Sequence, residues 1–264
     1  MSEILVTGGT GHLGSELVPR LVAQGHSVRV LSRRADPQLP SGVRAVRGDL
    51  VTGDGLKEAL DGIDVLVHSA TGAADTGARG LTYEVSRKTD VEPTQRMLNA
   101  LTSRPHVVYI SIVGVDKIPL GYYRAKLETE KIIENSGLPY TILRTTQWHS
   151  LADELCRRLT KLPIVLPPKG MKSQLLDPSD VADRMAALVE QGPSGHAPDM
   201  GGPEVLEFKH IIRTWLRAKK KRRVLVAAPF PGKAIKTFRA GYNLTPDHAD
   251  GKITWEQWLR SNTD

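Results

Sequence analysis

The sequence predicts an α/β fold with a doubly wound parallel sheet, because short β-branched runs alternate with longer amphipathic stretches up to about residue 145. Several of the short runs are continuously apolar, as expected of strands that are covered by helices on both faces. The predicted strands are Ile4–Thr7, Ser27–Leu31, Val43–Arg47, Val65–His68, Val107–Ser111 and Tyr140–Leu143. The predicted helices are Leu13–Gln24, Gly55–Leu60, Tyr83–Thr102 and Tyr122–Asn135.

The chain after about residue 145 has a different pattern, in which prolines from Pro163 to Pro203 interrupt short elements and limit long helices. No stretch between these two parts of the chain has the composition of a flexible linker. We therefore expect residues 1–264 to form a single domain, in which the residues after about 145 form a small C-terminal substrate lobe. Such a lobe would fold over the carboxyl edge of the sheet, where open α/β sheets bind their ligands.

Composition excludes several classes of protein. The 264 residues are 40% hydrophobic and 25% charged, which is typical of globular domains and not of disordered or fibrous chains. The single cysteine, Cys156, cannot form an internal disulfide, and no Cys/His spacing matches a zinc site, so we expect a reducing compartment and no metal. Neither a signal peptide nor an apolar run of the ~20 residues that a membrane span needs is recognisable. These observations predict a cytoplasmic protein with no membrane partner.

A glycine-rich turn follows the first predicted strand and precedes the first predicted helix. Such a turn lets the backbone approach a pyrophosphate, and the helix N-terminus presents N–H groups and a positive dipole end to that anion. The strand–turn–helix context makes the pattern much more specific than glycine spacing alone. We therefore predict a Rossmann-type site for a nicotinamide dinucleotide, contacted by Gly8, Thr10, Gly11, His12, Leu13 and Gly14.

The end of the second strand predicts which dinucleotide binds. Proteins specific for NAD(H) usually carry a carboxylate there, which binds the ribose hydroxyls, whereas this chain has Ser32 followed by Arg33 and Arg34. A guanidinium binds a 2′-phosphate through charge-assisted hydrogen bonds. The sequence thus favours NADP(H) over NAD(H), with the alternative that both arginines are ordinary surface residues.

Two further segments at strand ends are predicted to contact the cofactor. Asp49 and Leu50 follow the third strand, where a carboxylate and an apolar side chain suit the adenine, although Asp49 has the alternative role of capping the next helix. Ser69, Ala70 and Thr71 follow the fourth strand, and such small residues let a cofactor lie close to the backbone.

Six segments carry a family resemblance, namely Val6–Gly14, Leu31–Arg33, Gly48–Leu50, Ser111–Gly114, Tyr122–Lys126 and Pro139–Trp148. Together they resemble the NmrA-like group of atypical short-chain dehydrogenases/reductases over almost the whole chain. The resemblance implies NADPH-dependent reduction of quinones, dyes and similar conjugated compounds, although the group also includes regulators that bind the cofactor without known turnover.

The resemblance also implies catalytic residues. In the superfamily a serine or threonine orients the carbonyl, a tyrosine donates a proton, and a lysine binds the nicotinamide ribose. Tyr122 and Lys126 match the Y-x-x-x-K spacing, which puts both side chains on one helix face. Ser111 is the third candidate, one or two positions before the superfamily's usual serine. The alternatives are a packed aromatic for Tyr122 and, for Lys126, an exposed helix lysine that pairs with Glu130.

Gln147, Trp148 and His149 follow the last strand of the alternating region, where they are predicted to line a substrate pocket. An aromatic side chain there can stack on a flat substrate, and a histidine can relay a proton near neutral pH. The alternative for His149 is an ordinary packed or solvent-facing histidine.

The leading functional hypothesis is an NADPH-dependent oxidoreductase that reduces a conjugated carbonyl, quinone or dye-like acceptor. The alternative is a non-catalytic NADP(H)-binding redox sensor or regulator that acts through a protein partner. The net charge of +7 also suits nucleic-acid binders, but the densest basic run, Lys219–Arg223, reads as a solvated connection without a nucleic-acid signature. The expected partner is a small-molecule substrate rather than a nucleic acid.

Overall fold

The computed structural model describes residues 1–72 and 82–262. Its longer strands lie before residue 146, and shorter ones follow. The strands are β1 (Glu3–Thr7), β2 (Ser27–Ser32), β3 (Arg44–Arg47), β4 (Val65–His68), β5 (His106–Ile112), β6 (Tyr140–Thr145), β7 (Ile164–Val165), β8 (Lys172–Gln174), β9 (Gly195–His196), β10 (Val205–Glu207) and β11 (Val224–Leu225).

Helices follow β1, β3, β4, β5 and β6, and others lie among the shorter strands. Their bounds are α1 (His12–Ala23), α2 (Leu56–Leu60), α3 (Tyr83–Ser86), α4 (Glu92–Asn99), α5 (Gly121–Glu134), α6 (His149–Leu159), α7 (Pro178–Gln191), α8 (Phe208–Ala218), α9 (Lys233–Arg239) and α10 (Trp255–Ser261). A π-helical turn, Arg87–Val91, joins α3 to α4. None of the helices in the described ranges is long and apolar enough to cross a membrane.

Seven strands form one parallel sheet in the order β3-β2-β1-β4-β5-β6-β9, which confirms the predicted doubly wound α/β fold. The chain fills one side of the sheet from β1 to β3 and then returns to β4, which pairs with the other side of β1. The carboxyl ends of β1 and β4 therefore flank the point where strand order reverses. Open α/β sheets bind ligands at that point.

The predicted helix Tyr83–Thr102 differs from the structure, because it is interrupted by the π-helical turn and ends at Asn99. Pro93 lies at the start of α4 and has no N–H to donate to the carbonyl four residues earlier, which explains why the regular α-helical ladder stops there. The predicted strand Val107–Ser111 is one residue longer at each end in the structure, because β5 runs from His106 to Ile112.

The chain divides into two compact units, which we call unit 1 and unit 2. Unit 1 comprises residues 1–111, 120–143 and 182–197, and its core includes Leu5, Leu66 and Met97 between sheet and helices. Unit 2 comprises residues 112–119, 144–181 and 198–264, and its core is built around Trp215 and Trp255. The substrate-binding role of the residues after 145 remains a prediction.

Candidate functional site

The glycine-rich turn joins β1 to α1 in unit 1. Gly8 has a φ of +74°, which favours glycine, and its carbonyl accepts a hydrogen bond from the Gly11 N–H at 3.0 Å. Gly11 is the N-cap of α1, without a side-chain cap and without an acidic residue in the first turn. Because the N-cap Gly11 has no side chain to accept from these first-turn N–H groups, the helix start retains the features of an anion site.

Backbone packs closely around this turn. A Cβ built on Gly8 would lie 2.7 Å from the Ala70 nitrogen, so the turn touches the loop that follows β4. A Cβ on Gly14 would lie 2.3 Å from the Gly8 oxygen, inside the turn itself. These contacts require glycine, because helix, turn and neighbouring loop approach each other too closely for a side chain. We call Gly8–Gly14 the glycine cradle, and its shape fits a bound dinucleotide pyrophosphate.

The predicted contacts along the turn differ in exposure. Thr10, Gly11 and His12 are exposed, so both their backbone and any side chains are accessible. Leu13 is only 3% exposed and belongs to the core, so only its backbone is available to a ligand.

The segment after β2 is ordered by Ser32. Its side chain is buried, and its Oγ accepts a hydrogen bond from the Arg34 N–H at 3.2 Å, which turns the chain at the strand end. Arg33 and Arg34 are both exposed. The structure therefore presents two guanidinium-bearing residues directly after β2, and their predicted contact with a 2′-phosphate stays a prediction.

The segment after β3 packs locally. The Asp49 carboxylate accepts a hydrogen bond from the Val51 N–H at 2.8 Å, and Leu50 packs partly buried against the unit 1 core. The alternative that Asp49 caps the next helix is wrong, because the N-cap of α2 is Gly55.

The segment after β4 is held from both sides. Ser69 donates its hydroxyl to the Thr7 carbonyl at 2.8 Å, which fixes it beside the end of β1. Thr71 donates its hydroxyl to an Asp90 carboxylate oxygen at 2.9 Å, and the Gly72 N–H donates to the other oxygen at 2.7 Å. The predicted cofactor segment 69–71 is therefore positioned by hydrogen bonds rather than by packing alone.

Asp90 is the residue that sequence reasoning missed. It lies on the π-helical turn, is 5% exposed, and also accepts a hydrogen bond from the Thr89 hydroxyl at 3.0 Å. The available signal was its spacing, because Asp90 shares one helical stripe with the buried residues Ser86, Thr94 and Met97. A carboxylate on an otherwise buried stripe requires polar partners and marks a candidate site.

His68 is the last residue of β4 and lies beside the cofactor segment 69–71. Its Nδ1 lies 2.7 Å from the Thr7 hydroxyl, and its Nε2 lies 2.9 Å from that of Thr94. Burial and then the charge of Lys126 lower the pKa of His68 to about 3, so the ring is neutral at physiological pH. It connects β1, β4 and α4 without carrying charge.

Lys126 lies on α5 and is only 4% exposed, so its alternative as an exposed helix lysine is wrong. Its ammonium donates a hydrogen bond to the Ile110 carbonyl at 2.8 Å and lies 4.3 Å from the centroid of the Tyr109 ring. Burial lowers the pKa of Lys126 to about 8, although the carboxylates of Asp90 and Glu130 act in the opposite direction. The ammonium form therefore still predominates at neutral pH.

Tyr122 lies one turn before Lys126 on α5. Its hydroxyl is 3.2 Å from the Thr71 hydroxyl, and its ring meets that of Tyr123 edge-on. Burial and the Asp90 charge raise the pKa of Tyr122, while the Thr71 hydrogen bond opposes them, so the phenol keeps its proton at neutral pH. The structure thus brings Thr71, Asp90 and Tyr122 into hydrogen-bond contact, and the Asp90 charge reaches Lys126 one helical turn away from Tyr122. The buried Ser111 is adjacent in sequence to the carbonyl that Lys126 contacts.

The predicted substrate residues belong to unit 2. Gln147 is exposed, and the Trp148 indole donates a hydrogen bond to the Thr145 hydroxyl at 3.4 Å. His149 has no exposed surface and stacks with Trp255 and Trp258, at centroid distances of 5.7 and 5.8 Å. The packed alternative therefore describes His149, which leaves Gln147 and Trp148 as the accessible candidates for substrate contact.

Two curated relatives are named reductases. The chain is 33% identical over 135 residues to 2-alkyl-3-oxoalkanoate reductase of Stenotrophomonas maltophilia, covering 45% of this chain and 40% of that protein. It is 29% identical over 209 residues to (4-alkanoyl-5-oxo-2,5-dihydrofuran-3-yl)methyl phosphate reductase of Streptomyces griseus, covering 77% and 69%. The chain spans less than half the length of the Stenotrophomonas reductase.

Solved structures share the fold at low sequence identity. The NADPH-dependent quinone oxidoreductase QOR2 of Escherichia coli, complexed with NADPH, superposes with a TM-score of 0.76 at 17% identity, covering 98% of this chain and 99% of that one. UDP-glucuronic acid 4-epimerase of Bacillus cereus, in complex with NAD, gives 0.74 at 19% identity, covering 99% and 98%. At these identities the likeness shows the fold alone.

A family profile described as NAD(P)H-binding matches residues 8–192, which begin at the glycine-rich turn and include the Tyr122–Lys126 pair. This match covers more than half of the chain. The expected assignment to the atypical short-chain dehydrogenases/reductases is confirmed. The chain belongs to the NAD(P)H-binding family of the atypical short-chain dehydrogenase/reductase type.

Proposed function

We propose that the protein is an NADPH-dependent oxidoreductase that transfers hydride to a small conjugated carbonyl, quinone or dye-like acceptor. The observation that carries the proposal is the cluster formed by Tyr122, Lys126, Thr71 and Asp90, in which a protonated phenol and a buried ammonium are held on one helix. Strongly perturbed titratable groups with specific charged partners are typical of catalytic sites.

The cofactor end of the proposal depends on the glycine cradle. The uncapped start of α1 would hold the pyrophosphate, and Arg33, with Arg34 beside it, would bind the 2′-phosphate that distinguishes NADP(H) from NAD(H). When bound, the nicotinamide supplies the hydride, and the protein supplies orientation and electrostatics.

The chain's own residues would handle the proton. The Tyr122 hydroxyl would donate its proton to the acceptor oxygen as negative charge develops there, and the nearby Lys126 ammonium would stabilise the resulting phenolate. The Thr71 hydroxyl, oriented by Asp90, would hold the Tyr122 oxygen in place. Reduction then consumes one hydride and one proton.

The test is NADPH oxidation by the purified protein against a panel of quinones, conjugated aldehydes and dyes. The proposal predicts turnover with at least one acceptor class, and that this turnover falls in Tyr122→Phe. Tight NADPH binding without turnover across the panel would instead favour a redox sensor that acts through a protein partner.

Removing the Arg33 guanidinium is expected to erase most of the preference for NADP(H). A charge-assisted bond to phosphate contributes about 1.5–3 kcal/mol, which corresponds to roughly tenfold or more in affinity. Calorimetric titration of NADPH and NADH into Arg33→Ala should therefore show weaker NADPH binding and nearly unchanged NADH binding. Arg47→Ala, an exposed arginine at the end of β3, is the control. Equal affinities for the two cofactors in the parent protein would refute the arginine assignment.

Asp90→Asn is expected to lower turnover by about tenfold or more and to displace the pH profile of kcat/KM. The asparagine amide has the shape of the Asp90 carboxylate but not its negative charge. The Asp90 charge raises the pKa of both Lys126 and Tyr122, so its removal should move the alkaline limb of kcat/KM to lower pH.

The exposed Asp61→Asn serves as the matched control for this charge removal, since it should leave the pH profile in place. A reduced rate in Asp90→Asn with an unmoved profile would mean that Asp90 only stabilises the fold of its loop.

A further inference from the structure

The positive charge of the protein is concentrated in unit 2. Unit 2 contains 20 lysines and arginines against 12 aspartates and glutamates, a formal net charge of +8, whereas unit 1 contains 16 against 17, a net charge of −1. Because the candidate cofactor cradle lies in unit 1, a dinucleotide ligand does not account for this excess. The charge indicates a second anionic partner.

Much of that charge lines one groove along α8 and the connection to β11. Lys209, Arg213 and Arg217 follow each other at four-residue intervals, which places them on one helix face about 6 Å apart along the axis. Lys221, Arg222 and Arg223 continue the groove. Within residues 1–72 and 82–262 no carboxylate lies at ion-pair distance from any of these six cations.

The backbone of the same connection is strained. Lys220 follows the last turn of α8 with a φ of +52°, a conformation that favours glycine at this position. A lysine there adds charge at a conformational cost, as residues in unusual backbone conformations often do at functional sites.

An exposed aliphatic face adjoins the groove. β7 and β11 pair in parallel with Val224 opposite Ile164, so alternate residues point to the same side. Val165, between the exposed Ile164 and Leu166, is 2% exposed and packs in the unit 2 core. The exposed side chains are Leu162 at 65%, Ile164 at 52%, Leu166 at 49%, Val224 at 59% and Val226 at 50%.

The groove and the aliphatic face meet at the start of β11. Arg222 and Arg223 directly precede Val224, and the Arg223 guanidinium donates a hydrogen bond at 2.8 Å to the Thr160 carbonyl, close in sequence to Leu162. Cations and exposed aliphatic side chains of unit 2 are therefore neighbours at this point. Solvent-exposed aliphatic groups in this number are typical of an interaction surface.

We propose that this surface docks reversibly on an anionic lipid bilayer, with the six cations at the headgroups and the five aliphatic side chains in the interface. Charge complementarity favours anionic lipid over a second copy of the chain, because two such surfaces repel each other. Aliphatic side chains enter the acyl boundary of a bilayer but offer no ring on which nucleic-acid bases stack. The sequence-based expectation of no membrane partner rested on spanning segments, which surface docking does not need.

Co-sedimentation with vesicles tests the proposal. The parent protein is expected to bind vesicles of phosphatidylcholine mixed with phosphatidylglycerol, to release them at high salt, and to ignore phosphatidylcholine alone. Arg213→Glu/Arg217→Glu should weaken binding by about tenfold or more, since each charge near the membrane contributes on the order of fivefold. Ile164→Ser/Val224→Ser should also weaken binding at low salt, because the aliphatic contact with the interface is lost.

Two unit 1 variants serve as matched controls, Lys57→Glu for an exposed charge and Val51→Ser for an exposed aliphatic side chain, and both should bind as the parent does. All variants are expected to keep the parental circular dichroism and NADPH affinity. Absent or charge-independent vesicle binding would overturn the proposal. It would equally be overturned by salt-sensitive binding of duplex DNA without vesicle binding, or by a dimer that dissociates in Ile164→Ser/Val224→Ser.

Discussion

Replacing Lys126 with methionine is expected to lower NADPH-dependent turnover by about a hundredfold or more, the range typical of removing a group that stabilises the transition state. Methionine fills nearly the same buried volume but carries no charge. The fall in turnover therefore measures the effect of removing the ammonium rather than that of a cavity. We also expect weaker NADPH binding, because the cofactor would be less well positioned for hydride transfer.

Lys131→Met is the matched control, because Lys131 is an exposed lysine on the same helix. Tyr122→Phe separates the two roles, since loss of the phenol should slow turnover while cofactor binding stays near normal. If Lys126→Met binds and reduces like the parent protein, the Tyr122–Lys126 pair is not the catalytic centre.

The same variant has a readout that is independent of turnover. The pKa of Lys126 falls from its ordinary value near 10.5 to about 8 in the folded protein, so the folded state releases this proton more readily than the unfolded state. The contribution of Lys126 to the free energy of unfolding therefore rises as pH increases from about 8 to about 10.5, by up to ~3 kcal/mol. Denaturant titrations should show this rise in the parent protein relative to Lys126→Met.

Gly14→Ala is expected to lower the free energy of unfolding by about 3 kcal/mol and to abolish cofactor binding. Gly14 lies in the first turn of α1, and its added Cβ would meet three backbone atoms of Gly8 and Gly9 at 2.3 to 2.5 Å. Without that contact, alanine would stabilise a helix by about 1 kcal/mol relative to glycine. The sign of the effect therefore tests the close packing of the cradle.

Gly62→Ala controls for ordinary glycine replacement. Gly62 has a φ of +62° with open space around its Cβ position, so alanine there meets only the backbone cost of about 1 kcal/mol and should not alter cofactor binding. A Gly14→Ala protein with parental stability and NADPH affinity would contradict the packing described for the turn.

The sheet of unit 1 and the glycine-rich turn were predictable because each has a strong local signal. Continuously apolar strands and amphipathic helices differ in period, and the glycines stand where strand, turn and helix meet. The helix of Tyr122 and Lys126 begins within one residue of its predicted start, at Gly121 directly after its N-cap Leu120. Elements that local sequence determines in this way have nearly the bounds that the sequence predicts.

Asp90 and the strands of unit 2 were not predictable for the opposite reason. The role of Asp90 depends on contacts with Thr71 and Gly72, which the chain approaches only after folding. Strands such as β7 and β11 contain two residues each and show no periodicity. Likewise, two tryptophans more than a hundred residues away bury His149, so its neighbouring sequence gave no sign that it would be packed.

Hydride transfer from labelled cofactor tests the central claim most directly. Parent protein, Tyr122→Phe and Lys126→Met would be mixed with NADPH deuterated at both nicotinamide C4 positions and with the best conjugated aldehyde of the panel, in which the transferred deuterium stays on carbon. Stopped-flow absorbance and mass spectrometry of the product would follow the reaction. The account predicts deuterium in the reduced acceptor, with a rate that falls strongly in both variants. Tight NADPH binding with no label transfer by the parent protein, or transfer at the parental rate in both variants, would contradict it.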